Sequence, residues 1–238
     1  MEAAEESYDV LTRSPFPSGE IYSYFTYLAI GSEYIDYDRV CRWETEIKYS
    51  VDGGYTEDDL AVIERLCADL NRIDGFPGIS PAGEEDTVLL TISFIPQDEI
   101  RENFAYGPAS DSVRIEGITE YTASGDTCHI ISARIAVDCD LKDPMRRSSA
   151  VCEEIVQSLG LGNDSMQYAD SIFYEGTSEA DYPSELDFDM VRLLYCGYVE
   201  AGMTAEELCE AAGKAMGLVP DTDKIRIEKE ASDGNNGR

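Results

Sequence analysis

The hydrophobic and polar positions of the chain repeat with two different periods, so the sequence predicts strands as well as helices. β-Forming residues alternate with polar ones over 43–51, which predicts a strand that a glycine-containing turn ends. Continuous apolar runs predict two buried strands, 87–95 and 130–138. The apolar run 21–30 fits a buried strand or a short helix, and the stretch from Gly117 to Gly125 resembles a loop.

Apolar positions three and four residues apart predict helices after the first strand and in the second half of the chain. Thr56 has the position of an N-cap, and the apolar stripe behind it continues to about Ile73. Three further helices show the same spacing: about 147–160, about 185–195, and one that ends near Met216. This order of strands and helices predicts an α+β fold, with the helix at about 147–160 packed on a sheet.

Composition limits the number of domains and the classes of partner. The 238 residues are 43% hydrophobic, enough for one hydrophobic core, so we expect one domain. The 49 acidic residues against 18 Lys and Arg give a formal net charge of -31, which repels nucleic acid phosphates, so we expect no nucleic acid partner. No apolar run approaches the ~20 residues of a transmembrane helix, so we also expect no membrane-spanning segment.

The cysteines and the acidic start of the chain both bear on location. Seven cysteines are more than a typical cytosolic protein needs, and their spacing fits no zinc ribbon or C-x-x-C redox motif. The first residues are the opposite of a basic signal-peptide region, so we expect a mature exported segment whose signal peptide has been removed. The expected location is extracellular or on the cell surface, with disulfides such as Cys128 with Cys152 or Cys128 with Cys139. Reduced core cysteines in the cytoplasm are the alternative.

The two ends of the chain have the composition of unstructured segments. Residues 1–20 carry proline and glycine among polar residues, which predicts a flexible lead-in. Residues 221–238 are low in apolar residues, which predicts a disordered tail. Order is therefore expected between these two segments.

The predicted helix at about 147–160 carries the spacing of a zinc-protease helix. Residues four apart share a helix face, so Glu153 and Gln157 lie one above the other with Glu154 beside them. This is the spacing of H-E-x-x-H, in which two histidines bind zinc and the glutamate deprotonates the metal-bound water. Glu153 and Gln157 stand at the histidine positions, and Glu154 stands at the position of the base.

Several segments in the same order resemble a metzincin of the matrixin type. The order is a strand with Trp43, a helix, two strands, and then the site helix and its turn. The family's long pattern is H-E-x-x-H-x-x-G-x-x-H, in which the glycine lets the chain turn so that a third ligand returns to the metal. Five residues fall in register with it: Glu153, Glu154, Gln157, Gly160 and Asn163.

Two downstream segments extend this resemblance, which covers roughly residues 22–216. The Ser-Ile-Phe-Tyr segment at 171–174 is similar to the family's Ser-x-Met-x turn beneath the metal, with Phe173 in the place of methionine. The stretch 183–195, with Asp187, is similar to the family's last helix. A closer resemblance is to a bacterial family of metzincin-like domains without an assigned function, which shows Glu-Glu-x-x-Gln-x-Leu-Gly-Leu-x-Asn-Asp, a Ser-Ile-Phe segment and a late Gly-Met-Thr.

The resemblance implies a zincin-like fold in which a twisted mixed sheet packs on helices. It implies an N-terminal subdomain with the site helix over 21–163 and a smaller C-terminal helical subdomain over 164–220. All three histidine positions are replaced, so we expect no catalytic zinc and no cofactor. Calcium held by side-chain oxygens is an alternative, with four candidate ligands: Glu153, Gln157, Asn163 and Asp164. The main expectation is that Glu153 and Gln157 hydrogen-bond each other and nearby backbone, and so keep the helix-turn geometry without a metal.

These observations lead to one expected function and its competitors. We expect a metallopeptidase-like pseudoenzyme, exported, that binds a peptide or a polysaccharide in the former substrate cleft, with Asp164, Phe173 and Tyr174 as cleft candidates. The competing hypothesis is an active peptidase that uses Glu154 as general base with an unusual metal or none. A nucleophile pair of Cys152 and His129, and a purely structural surface module, are further alternatives.

Overall fold

The computed structural model describes residues 18–32, 35–104, 114–176 and 180–218. The predicted tail 221–238 and the first 17 residues of the predicted lead-in lie outside the described residues. Within these ranges the fold is α+β, as predicted, with a five-stranded sheet, a two-stranded sheet and six helices. None of the described helices has both the length and the apolar character that crossing a bilayer requires.

The helices and strands are numbered in chain order. The helices are α1 (Ser18–Ala29), α2 (Glu57–Leu70), α3 (Gln97–Asn103), α4 (Pro144–Gln157), α5 (Glu185–Leu194) and α6 (Ala205–Ala215). The strands are β1 (Ile30–Ser32), β2 (Ile35–Val40), β3 (Ile47–Gly53), β4 (Ile79–Pro81), β5 (Leu90–Ile95), β6 (Gly117–Ala123) and β7 (Ile130–Asp138).

The main sheet is mixed and has the strand order β4-β3-β5-β7-β6. The first four strands in this order are parallel, and β6 runs antiparallel to β7 at one edge. Buried and half-buried residues alternate along β5, because successive side chains of a strand point to opposite faces of the sheet. The prediction of β3, β5 and β7 as strands is confirmed. β5 begins later than predicted, and β3 covers 47–53 instead of 43–51, so it continues into the predicted turn.

The prediction of a loop over 117–125 is wrong, because Gly117–Ala123 is the edge strand β6. Gly117 and Gly125 enclose a segment that favours β structure, since Ile118, Thr119 and Tyr121 all prefer extended backbone. The two glycines lie at the beginning of the strand and after its end. The turn signals were therefore correct, but the short strand between them has polar residues on one face and lacks a continuous apolar run.

The apolar run 21–30 is helix α1 followed by β1, which decides between the two predicted alternatives. Tyr24, Phe25 and Leu28 lie on its buried face. The helix begins at Ser18, three residues before the expected start of order. Sequence patterns did not reveal four elements: the short strands β1, β2 and β4, and the short helix α3.

Helix α4 returns along the sheet after β7 and so carries the candidate site to the opposite end of the parallel strands. Asp143 is its N-cap, and Pro144 is its first residue, where the missing N–H costs nothing. The helix contacts β6, β7 and α2. Its carboxyl-terminal end therefore lies near the ends where the parallel strands begin.

The last two helices pack against α1. Both begin with a capping box, from Ser184 to Asp187 and from Thr204 to Glu207. The chain between them pairs with the end of β2, since the N–H of Val40 donates to the carbonyl of Met203 at 2.8 Å. The Gly-Met-Thr segment noted in the sequence therefore binds the end of β2 through an isolated antiparallel bridge.

Candidate functional site

Two buried aromatic side chains hold the carboxyl-terminal end of α4. The indole N–H of Trp43 donates to the carbonyl oxygen of Ser158 at 2.8 Å, and the Tyr195 hydroxyl donates to that of Leu159 at 3.1 Å. Trp43 and Tyr195 have 1% and 2% of their surface exposed. Carbonyls at a helix end lack partners within the helix, so these two donors fix where the site helix stops.

Gly160 turns the chain immediately after this helix end. Its φ is +115°, and a Cβ atom there would lie 1.9 Å from the carbonyl oxygen of Cys41. Only glycine fits such a position, because both the backbone conformation and the contact exclude a side chain. The turn after the site helix therefore lies directly on the segment between β2 and β3.

The side chains at the second and third ligand positions, Gln157 and Asn163, bind different partners. The Gln157 amide donates from Nε2 to Oδ1 of Asp164 at 2.6 Å. The Asn163 amide donates from Nδ2 to the carbonyl oxygens of Tyr27 at 2.9 Å and Ile30 at 2.7 Å, so it binds the end of α1. The structure thus brings Gln157 and Asp164 together and directs the amide nitrogen of Asn163 to a different element.

Glu154 faces the edge strand β6. Its side chain is 5% exposed, and a Cβ atom added at Gly117 would lie 2.5 Å from its Oε1 and 2.6 Å from its Cγ. The Thr119 hydroxyl donates to the backbone carbonyl of Glu154 at 2.9 Å. Glu153 and Gln157 lie on another side of the helix and are half-buried. The candidate base therefore packs under β6, separated from the ligand-equivalent positions by the helix geometry.

The turn at 171–174 is tied to α5 by a buried carboxylate. The Ser171 hydroxyl and the Ile172 N–H both donate to Asp187, the second at 3.3 Å, while the Ser184 N–H donates to it at 2.7 Å. Asp187 is 1% exposed, and this burial raises the pKa of its carboxyl, against the effect of these donors. The Tyr24 hydroxyl is 2.9 Å from Ser171 Oγ, which links α1 to the same group. The sequence placed Asp187 in this segment without indicating this role.

The three predicted cleft residues differ in exposure. Phe173 is fully buried in the main hydrophobic core, so its side chain anchors the turn at 171–174 to the core. Tyr174 and Asp164 are half-buried, so both retain accessible surface. The carbonyl of Phe173 accepts a hydrogen bond from the Ser165 N–H at 2.7 Å, which brings this turn beside the segment that follows the site helix.

The seven cysteines are free thiols in this structure, so neither predicted disulfide of Cys128 is formed. Cys128 lies beside Cys41, because the residues that follow them, His129 and Arg42, form a parallel bridge. Cys152 is fully buried, and burial raises the pKa of its thiol, which opposes a role as nucleophile. His129 pairs through its backbone with Arg42.

One group of three potential metal-ligating side chains lies close together among the residues that the structure describes, at the end of β7: Asp138, Cys139 and Asp140. Asp138 is also paired with Arg114, which neutralises its charge. This group is at the beginning of α4, at the other end of the helix from Gln157.

Comparison with known families gives one match that covers most of the chain. Residues 18–212 match the family described as "Protein of unknown function (DUF2927)". Among curated proteins, no match to the chain is found.

Proposed function

The chain belongs to the DUF2927 family, and we propose that it is a metzincin-like binding protein without metal-dependent peptidase activity. One observation carries this proposal: the side chains at two zinc-ligand positions are engaged in the scaffold. Gln157 donates to Asp164, and Asn163 donates to the carbonyls of Tyr27 and Ile30. Their hydrogen bonds preserve the helix and its turn without a metal ion.

The relationship to metzincins is supported by the order and the contacts of the segments. A strand, a helix and further strands precede α4, and the Gly160 turn follows it. The turn at 171–174 then binds Asp187 of the next helix. Sequence order and side-chain contacts thus support the same alignment.

The residues present do not fit a zinc ion. Zinc in proteins is bound by imidazole, thiolate and carboxylate groups, whereas Gln157 and Asn163 are neutral amides. The only negatively charged side chains at the candidate zinc position are carboxylates. One of them, Glu154, is directed towards Gly117 of β6. Calcium would need six or more oxygen ligands, and its four candidates include Asn163, whose amide nitrogen faces α1.

The edge strand β6 supports a peptide as the ligand. The N–H of Asp138 donates to the carbonyl of Glu116 at 2.9 Å, which makes these two residues a hydrogen-bonded pair. Because such pairs alternate along antiparallel strands, the backbone groups of Gly117 and Thr119 point away from β7. Among the described strands, β6 pairs with β7 alone. An extended peptide can therefore add to this edge, next to the β6 residues that pack on Glu154.

Metal analysis and a peptidase assay test the absence of catalysis. Protein purified without chelators is expected to carry far less than one zinc or other transition-metal ion per chain and to cleave no peptide. Stoichiometric transition metal, or a hydrolysis that Glu154→Ala abolishes, would overturn the proposal. Glu153→Ala is the matched control, because it removes the neighbouring carboxylate.

A pair of variants at Thr119 tests peptide binding at β6. Thr119→Pro removes the outward N–H, while Thr119→Ala keeps it; both lose the hydroxyl that binds Glu154. Peptides are first captured from a synthetic random library by the wild type. They are expected to bind Thr119→Ala with an affinity similar to that of the wild type and Thr119→Pro at least about 10-fold more weakly. Equal melting temperatures of the two variants show that the difference does not come from unfolding. Equal binding by the two variants, or no capture by the wild type, would contradict this mode of recognition.

A further inference from the structure

Cys41 and Cys128 are brought together by two segments that are distant in sequence. Cys41 follows β2, and Cys128 precedes β7. Their neighbours Arg42 and His129 form a parallel bridge, and the N–H of Ile130 donates to the carbonyl of Arg42 at 2.9 Å. Because the bridge is parallel, the residues before it are also neighbours. Both thiols point into the interior, where the two residues are 1% and 6% exposed.

The backbone at Cys128 is unusual for a residue with a side chain. Its φ is 56°, in the left-handed region, and its N–H donates to the carbonyl of Ser124 at 2.8 Å at the end of a tight turn. Such a conformation persists when surrounding contacts hold it. Here it aims the Cys128 side chain at Cys41 and away from the solvent.

We propose that Cys41 and Cys128 form a disulfide when the chain folds in the presence of a disulfide oxidant. One thiolate attacks a small-molecule disulfide such as oxidised glutathione and releases one reduced glutathione. The second thiolate then attacks the mixed disulfide and releases the other. The two cysteines lose two protons and two electrons, and the oxidant is reduced to two thiols.

The surroundings of the pair determine when this reaction occurs. Burial and the neighbouring Cys128 thiol raise the pKa of Cys41 to about 12, so the folded protein presents almost no thiolate at this position at neutral pH. Both residues are also almost fully buried, so an oxidant has little access to either thiol in the folded protein, and the bond forms during folding. It would join Cys41, whose carbonyl supports Gly160, to the beginning of β7, and so lock the surface on which the site turn rests.

Refolding in a glutathione redox buffer tests the proposal. The seven thiols of the reduced chain are expected to fall to five on titration under denaturing conditions, with one peptide pair linked through Cys41 and Cys128 in mass spectrometry. The oxidised protein should melt roughly 5–15 °C above the reduced one. Cys41→Ser and Cys128→Ser should each retain six thiols after the same treatment, whereas the control Cys67→Ser should still lose two.

Either of two results would overturn the inference. The first is that all seven thiols of the refolded wild type remain titratable. The second is that the linked peptides join Cys41 or Cys128 to other cysteines. If one serine variant fails to fold, the other variant and the wild-type peptide map decide the question alone.

Discussion

Arg147 binds Asp59 through two parallel hydrogen bonds, from Nε to Oδ1 at 2.7 Å and from Nη2 to Oδ2 at 2.8 Å. Both residues are buried, and the same guanidinium donates to the carbonyls of Gly54, Asp138 and Cys139. The pair therefore joins the first turns of α2 and α4 to the ends of β3 and β7. It holds the framework at the end of the sheet opposite to the candidate site.

Removal of this guanidinium should be strongly destabilising. Arg147→Ala leaves the buried carboxylate of Asp59 without its cation and removes one donor from each of three carbonyls, so we expect a loss of about 3–5 kcal/mol in the free energy of unfolding. The neighbouring Arg146 pairs with Glu116 on the surface, and Arg146→Ala should cost less than about 1 kcal/mol. Urea unfolding of the two variants gives the comparison. Similar losses in both would show that the buried pair contributes no more than a surface pair.

The Asp59 carboxylate should also make stability depend on pH. Burial opposes its ionisation, but hydrogen bonds from Arg147 and Thr56 outweigh this and hold its pKa below the ordinary 3.8. An acid with a lowered pKa contributes stability that is fully present above pH ~4 and is lost as the pH falls through the folded value. The difference in unfolding free energy between the wild type and Asp59→Asn should therefore shrink as the pH falls below ~4. A difference that is constant down to pH 2 would contradict the lowered pKa.

Asn71 protects the edge of the main sheet at β4. Its amide donates to the carbonyl of Ile79 and accepts from the N–H of the same residue, both at 2.8 Å, as an added strand would. Asn71→Ala should expose these groups, lower the unfolding free energy by about 1–2 kcal/mol and favour self-association at high concentration. Asn103→Ala, which removes a bond to a helix carbonyl, is the control. Size-exclusion chromatography over a range of concentrations measures association, and an unchanged monomer fraction would show that the edge needs no cap.

The elements of the fold that could be predicted are those that a local sequence pattern determines. The capping box at Thr56, the buried strand β7 and the amphipathic α5 all follow from local pattern, and the structure confirms them. The edge strand β6 could not be recognised from the sequence, because it is stabilised as a strand by its pairing with β7 and its own composition shows no strand pattern. The short strand β4 likewise depends on its partner β3 and on Asn71.

The candidate site was less predictable, because its chemistry depends on contacts between distant segments. Sequence spacing placed Glu153 and Gln157 on one helix face, and in the structure both are half-buried. Spacing could not show that Asn163 turns to the end of α1, or that Cys128 meets Cys41. Those contacts are set by the tertiary fold, and no local pattern records them.

Gly160 offers the sharpest test of how the site turn is built. Gly160→Ala forces a side chain into a left-handed backbone position and against the Cys41 carbonyl, so we expect a loss of about 3 kcal/mol or more in the free energy of unfolding. Gly197→Ala is the matched control, because a Cβ atom there meets nothing within 4 Å, and it should change stability by less than about 0.5 kcal/mol. Chemical unfolding measures both variants. Trp43 binds the carbonyl of Ser158, two residues before Gly160. If the turn moves away from Cys41 in Gly160→Ala, Trp43 becomes more exposed to water and its fluorescence should shift to longer wavelength. A stable variant with unchanged fluorescence would show that the turn can move away from Cys41 at little cost.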